Sequence, residues 1–187
     1  SADQTICSGD VPGALTALAP TMGNHLVYTF QWQASSKAVS WTTKSTAGTP
    51  YNPPALTDST WYRRIVNSSK CTNTSNKVVI NVHNTLTNNL VEADTTICSG
   101  ADPKKIRGKL PVGGNHIFGY QWYSSTDNFS TNNDPITVSG TLINYDPSTL
   151  TSSLWYRRKV TSGMCMTLSN IIKVTVLPSI TANNITP

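Results

Sequence analysis

The residues best equipped for chemistry are four cysteines (Cys7, Cys71, Cys98 and Cys165), three histidines (His25, His83 and His116) and two arginine pairs, Arg63-Arg64 and Arg157-Arg158. A zinc site wants closely spaced cysteines or histidines, and these cysteines have no such neighbours. Disulfides in an oxidising, extracytoplasmic setting are the expected chemistry. No Gly-x-Ser-x-Gly elbow, His-Glu-x-x-His pair or phosphate-cradling glycine loop occurs. The nine carboxylates are scattered, so no acid and base pair for sugar hydrolysis stands out. The sequence thus nominates no catalytic residue, no metal ligand and no cofactor, and predicts a chain that is not an enzyme.

The elements that hold these residues repeat. Ile6-Cys7-Ser8-Gly9 returns as Ile97-Cys98-Ser99-Gly100, Gly23-Asn24-His25 as Gly114-Asn115-His116, and Gln31-Trp32 as Gln121-Trp122. After a short insertion, Tyr51-Asn52-Pro53 matches Tyr145-Asp146-Pro147, Trp61-Tyr62-Arg63-Arg64 matches Trp155-Tyr156-Arg157-Arg158, and Cys71 matches Cys165. The organisation predicted is one repeat at 1–84, a second at 85–178, and the start of a further repeat or a linker at 179–187. Four cysteines allow three pairings. The duplication makes Cys7 with Cys71 and Cys98 with Cys165 the economical choice, each bridge contributing about 4 kcal/mol in the chain-entropy view.

Comparing the copies shows which side chains face inward, because inward positions stay apolar while outward ones drift. Tyr28, Phe30 and Trp32 become Phe118, Tyr120 and Trp122, an aromatic face at period two. Ile65 becomes Lys159 whereas Val66 stays Val160, which puts Tyr62 and Val66 inside and Trp61, Arg63 and Ile65 outside. Val78, Ile80 and Val82 likewise become Ile172, Val174 and Val176. With turn clusters between such strands, the fold class expected is all-β: two tandem Ig-like β-sandwich domains with one disulfide each.

Arg64 and Arg158 then fall on the inward face, where a guanidinium must be paired. They are expected to bond loop carbonyls or a carboxylate, with Arg63 and Arg157 stacked over Trp61 and Trp155 outside. Lys105, Arg107 and Lys109 form a basic row if 105–110 is a strand, with Ile106, Gly108 and Leu110 facing in. That row either guards an edge or contacts an acidic polysaccharide. Trp41 and Tyr123 are candidate sugar-stacking aromatics, with Tyr51, Phe129 and Tyr145 beside them if exposed. Trp41 has no tryptophan counterpart in the second repeat. Asp58-Ser59-Thr60 and Asp94-Thr95-Thr96 have the form of short O-glycosylation signals. No apolar run approaches the roughly 20 residues of a membrane helix, so no direct membrane insertion is expected. The net charge of +5 is spread over both halves, which does not suit a nucleic-acid binder.

The Thr-Ile-Cys-Ser-Gly start, Gln-Trp strand, Tyr-(Asn/Asp)-Pro turn, Trp-Tyr-Arg-Arg strand and valine-rich last strand occur twice. Together they resemble the Ig-like repeats of very large cell-surface adhesins of gliding Bacteroidota, the SprB-like substrates of type IX secretion. The resemblance implies a secreted, extracellular stalk at the cell surface, with neighbouring repeats and external polysaccharide as partners. A carbohydrate-binding or spacer module of a secreted hydrolase is the alternative. Within that frame the chain reads as a monomeric fragment of a longer array. Leu86-Thr87-Asn88-Asn89-Leu90 and Ile180-Thr181-Ala182-Asn183-Asn184-Ile185 then suggest strand exchange through the C-terminal tail.

Overall fold

The computed structural model describes residues 1–23, 27–181, and these form two compact units, Ser1–Thr85 and Leu86–Pro187. The described residues hold strands and turns and no helix. In the first unit the strands are β1 (Gln4–Cys7), β2 (Thr29–Ser35), β3 (Thr42–Ser45), β4 (Thr60–Ser68), β5 (Cys71–Thr74) and β6 (Val78–Thr87), the last running into the second unit. They pair in the order β1-β6-β4-β2-β3, with β5 folding back on β4. The second unit repeats the plan. It has β7 (Thr95–Cys98), β8 (Val112–Gly114), β9 (Gly119–Ser125), β10 (Asp134–Pro135), β11 (Leu154–Ser162), β12 (Cys165–Leu168) and β13 (Ile172–Leu177), in the order β10-β9-β11-β13-β7 with β12 on β11.

Each sheet buries one face, as the alternation requires. Ile6, Leu15, Trp32, Ala34, Tyr62, Val78 and Ile80 form the first core, and Val91, Ile106, Trp122, Tyr156, Ile172 and Val174 the second. The layer opposite each sheet is extended chain held by single bridges, Leu15 to Tyr51 in one unit and Ile106 to Tyr145 in the other. Those tyrosines complete the cores. Tyr51 stacks on Trp32 at 5.6 Å and Tyr145 lies against Trp122 at 5.9 Å, so both do packing duty. Each tryptophan N–H is satisfied by a loop carbonyl, Gly48 for Trp32 and Leu142 for Trp122, which lets the ring be buried.

The cysteine pairing expected above is not the one the fold makes. Cys7 and Cys165 are each disulfide-bonded, while Cys71 and Cys98 are exposed free thiols, so neither expected pair forms. Strand register gives the reason. Cys7 sits beside His83 past the Thr60 end of β4, because Gln4 and Thr60 both pair with Ile80. Cys71 pairs with Ser68 at the far end of the same strand. Eight residues at about 3.3 Å each put roughly 26 Å between those ends, and a disulfide spans a Cα separation below about 7 Å. Cys98, beside Leu177, and Cys165, opposite Ser162, are parted in the same way along β11. A bridge inside either unit would tear its sheet.

Candidate functional site

The inward arginines are built into the two sheets at matching places. Arg158 is completely buried, and its guanidinium donates to the carbonyls of Ile143 (2.7 Å) and Lys109 (2.7 Å) and twice to the side-chain oxygen of Asn89 (2.9 and 3.1 Å). Asn89 in turn donates to the carbonyls of Arg158 and Thr167. Loop carbonyls and a neutral amide thus hold the cation, and of the two partner types anticipated, carbonyls are the ones found here. Arg64 is also buried and donates to the Leu18 carbonyl at 2.6 Å, the counterpart of Lys109, but its Nε has no partner. Burial lowers the pKa of both guanidiniums, which still leaves arginine charged.

The two arginines differ because of two neighbours. One is Asn89, nine residues before Cys98, whose side-chain oxygen accepts from the Arg158 guanidinium. Gly108, which leaves room for the Arg158 guanidinium, is replaced by Ala17 in the first repeat. Beside Arg64 lies a cavity of about 570 Å³ lined by Leu18, Met22, Arg64, Cys71, Asn73 and Asn76 among others.

On the outer face each unit carries an arginine over an aromatic ring, with partners other than those expected. Arg63 lies 4.2 Å over the half-buried Trp41 rather than over Trp61, and Gln33 accepts from its Nε at 2.9 Å. Arg157 lies 4.1 Å over Phe129 rather than over Trp155, which is covered by Lys173 instead. Phe129 is therefore the spatial counterpart of Trp41. The sequence hid this, because the enlarged loop supplies the ring from a position that does not align. That loop is pinned by Asp127, which accepts from Ser125, Thr131 and Asn132, while the Ser125 hydroxyl accepts from the Phe129 amide at 2.8 Å. The hydrogen bonds from Thr131 and Ser125 hold the Asp127 carboxyl well below the usual carboxylate range. Tyr123, half-buried, pairs with Pro135 on one side and Arg157 on the other, which places it beside this platform.

Lys105, Arg107 and Lys109 are exposed as expected, with Ile106 buried between them. Leu110, expected inside, is exposed, because 105–110 is not a full strand and is held by bridges at Ile106 and Gly108. Two of the three cations have acidic neighbours, Lys105 with Asp146 at 3.7 Å and Arg107 with Glu92 at 3.9 Å. Lys109 contributes its carbonyl to Arg158. Of the glycosylation signals, Ser59 accepts from the Val82 amide and Asp94 from the Lys173 amide, so both have structural duties. His25 lies outside the described residues; His116 is exposed. Among the described residues no three His, Cys, Asp or Glu side chains converge.

Residues 1–84 and 87–178 each match the family described as a domain of unknown function, DUF8696. The chain belongs to that family, in two copies. No curated protein matches it. Among solved structures it is similar to the extracellular domains 3–5 of Drosophila OTK, with a TM-score of 0.55 and 10% identity over 94% of this chain and 59% of that one. It is also similar to Sidekick-1 immunoglobulin domains 1–4 (TM-score 0.40, 16% identity, 98% of this chain and 47% of that one). A third likeness is to chicken CNTN1 FN1–FN3 (TM-score 0.41, 14% identity, 94% of this chain and 69% of that one). This chain spans less than half the length of the first of the immunoglobulin structures it matches, 47% of Sidekick-1 and 43% of Dscam1. Of these, the OTK likeness bears on the fold, which is all-β and Ig-like in both DUF8696 copies.

Proposed function

We propose that this chain is a non-catalytic tandem segment of a large secreted adhesin, of the kind that gliding Bacteroidota export by type IX secretion and display on the cell surface. The segment serves as a stalk and touches external polysaccharide through its arginine-backed aromatic platforms. The observation that carries the reading is the recurrence of the platform. Trp41 with Arg63 and Phe129 with Arg157 give each repeat the same outer feature from residues that do not align. A flat ring beside fixed N–H donors suits a pyranose, whose C–H face stacks and whose hydroxyls take hydrogen bonds. The basic row ranks below it, since Asp146 and Glu92 already neutralise two of its cations.

The test is binding of the purified chain to a panel of neutral and acidic polysaccharides. Trp41→Ala and Phe129→Ala together should weaken binding about tenfold or more, the equivalent of ~1.4 kcal/mol. Charge reversal at Lys105, Arg107 and Lys109 should change it little. Binding to no polysaccharide, or binding indifferent to both aromatic substitutions, would refute the glycan contact.

A further inference from the structure

The two platforms share a plan but not a charge. In the first repeat the Arg63 guanidinium lies 4.2 Å, and the Lys77 ammonium 5.9 Å, from the centre of the Trp41 ring. Both cations are held in place, Arg63 through its Nε by Gln33 and Lys77 by a 3.4 Å hydrogen bond to the Ala38 carbonyl. A third cation arrives with the edge strand. Trp32 pairs with Ser45 and Gln33 with Thr43, so Lys44 is the extra residue of a bulge and stands, exposed, at the level of Gln33.

The carboxylates of the first repeat do not offset these charges. Asp3 accepts from the Val79 amide, Asp10 from the Cys7 amide and Asp58 from the Thr57 hydroxyl. Among the described residues both ion pairs, Lys105 with Asp146 and Arg107 with Glu92, lie in the second unit. Like charges brought together in this way repel one another, a cost that a bound anion removes.

Strand register shows which of these charges the second repeat lacks. Ala34 and Ser124 are equivalent at the offset of 90 that relates Trp32 to Trp122. Their partners on the edge strand are Thr42 and Asp134, so the second repeat has a carboxylate where the first has a hydroxyl. Pro135 then takes the place of Thr43, and Ile136, whose amide donates to the Trp122 carbonyl, that of Ser45, which leaves no counterpart for Lys44. Lys77 becomes Ile171 at the offset of 94 that relates Val78 to Ile172. Asp127, which pins the Phe129 loop through Ser125, adds a second carboxylate. The second repeat does carry Lys159 and Lys173 in place of Ile65 and Val79, but Lys173 covers Trp155 and not Phe129.

We propose that the first platform is the subsite for an anionic sugar, its ring against Trp41 and its carboxylate or sulfate group held by Arg63, Lys44 and Lys77, while the Phe129 platform takes a neutral sugar. The inference rests on the platform reading above and adds to it the charge of the ligand. Carboxylate and sulfate present the same chemistry here, oxygens that accept the paired N–H groups of a planar guanidinium and the point charge of an ammonium. The bond from Arg63 to Gln33 uses Nε and leaves the Nη groups for the ligand. A chain with both platforms would grip a polysaccharide that alternates charged and uncharged residues more firmly than one that is uniformly neutral.

The experiment is titration calorimetry of the purified chain with alginate, whose anions are carboxylates, with dextran sulfate, whose anions are sulfate esters, and with uncharged dextran. Binding to at least one polyanion is expected and should weaken steeply with added sodium chloride, whereas binding to dextran should not. Lys44→Gln with Lys77→Gln should weaken the polyanion about tenfold or more and dextran far less. Trp41→Ala should cost the polyanion more than dextran, and Phe129→Ala the reverse. Lys70→Gln with Lys104→Gln removes the same charge away from the platform and should leave both affinities as they were. An equal loss in that control, an equal loss of polyanion and dextran on changing Lys44 and Lys77, or a preference for dextran over both polyanions would overturn the charge assignment and leave the platforms as glycan contacts. Binding to none of the three would overturn the platform reading and the assignment with it.

Discussion

Gly108 is shaped by Arg158: a Cβ built at position 108 would lie 1.9 Å from the Arg158 Nη1 and 2.7 Å from the Ile143 carbonyl oxygen. The glycine is needed for space, so that the guanidinium can reach three acceptors at once. In the first repeat Ala17 stands there, and Arg64 donates to Leu18 alone among the loop carbonyls matched here. Gly108→Ala should therefore push Arg158 toward the arrangement of Arg64 and destabilise the second unit by about 1–3 kcal/mol, the range for overpacking a filled core. Chemical denaturation with a probe in each unit checks this, and the transition of the first unit should not move.

Asn89→Ala removes one acceptor serving two N–H groups of a buried cation. Its cost should be about 2–3 kcal/mol in the second unit, the scale of hydrogen bonds to charged groups. Arg64→Met in the first unit should cost less, under about 1.5 kcal/mol, because the guanidinium there is already short of acceptors and a thioether fills the same space. Comparing the two denaturation curves tests the ranking.

Asp127 makes the Phe129 loop sensitive to acid. Its folded pKa is held below the ordinary 3.8 by its hydrogen bonds, so its contribution is present above that value and is lost as pH falls through and below it. Asp127→Asn should lower thermal stability near neutral pH, and the difference from the parent chain should shrink steadily below about pH 4. Circular dichroism melts across that range read it out. Arginine stacking on Phe129 should loosen in the same variant.

The tyrosines next to the core tryptophans respond at the other end of the scale. Burial, with a smaller contribution from Tyr51, pushes Tyr62 up from 10.0 to about 12, and burial raises Tyr156 further in the same direction. Folding therefore favours the neutral phenol, and that stability is full below pH 10 and lost as pH rises toward the folded values. Tyrosinate absorbance should show a late phase that coincides with unfolding, and Tyr62→Phe should delay the collapse of the first unit in alkali.

Much of the fold was legible because burial acts on single positions. The drift of Ile65 to Lys159 beside the retained Val66 and Val160 marked the two faces correctly, and Arg64 and Arg158 fell on the buried side as the alternation required. The disulfide pairing was not legible, since loop entropy counts residues along the chain whereas Cys7 and Cys71 are separated by the length of β4. Phe129 was missed as the partner of Arg157 for a related reason. Its ring arrives from an insertion, and a fixed offset can only compare residues that share one. Asn89 could have been found by asking what neutral acceptor a buried arginine without a carboxylate must recruit.

The parallel pairing of the first and last strands of each repeat decides how a repeat bears load. Gln4 to Cys7 run beside Ile80 to His83, and Thr95 to Cys98 beside Val174 to Leu177, each pair pointing the same way. Tension between the start and the end of a repeat slides these neighbours past one another, so all the hydrogen bonds of a ladder resist together instead of opening in turn from one end. A repeat of this kind is strongest against force applied between its own first and last strands.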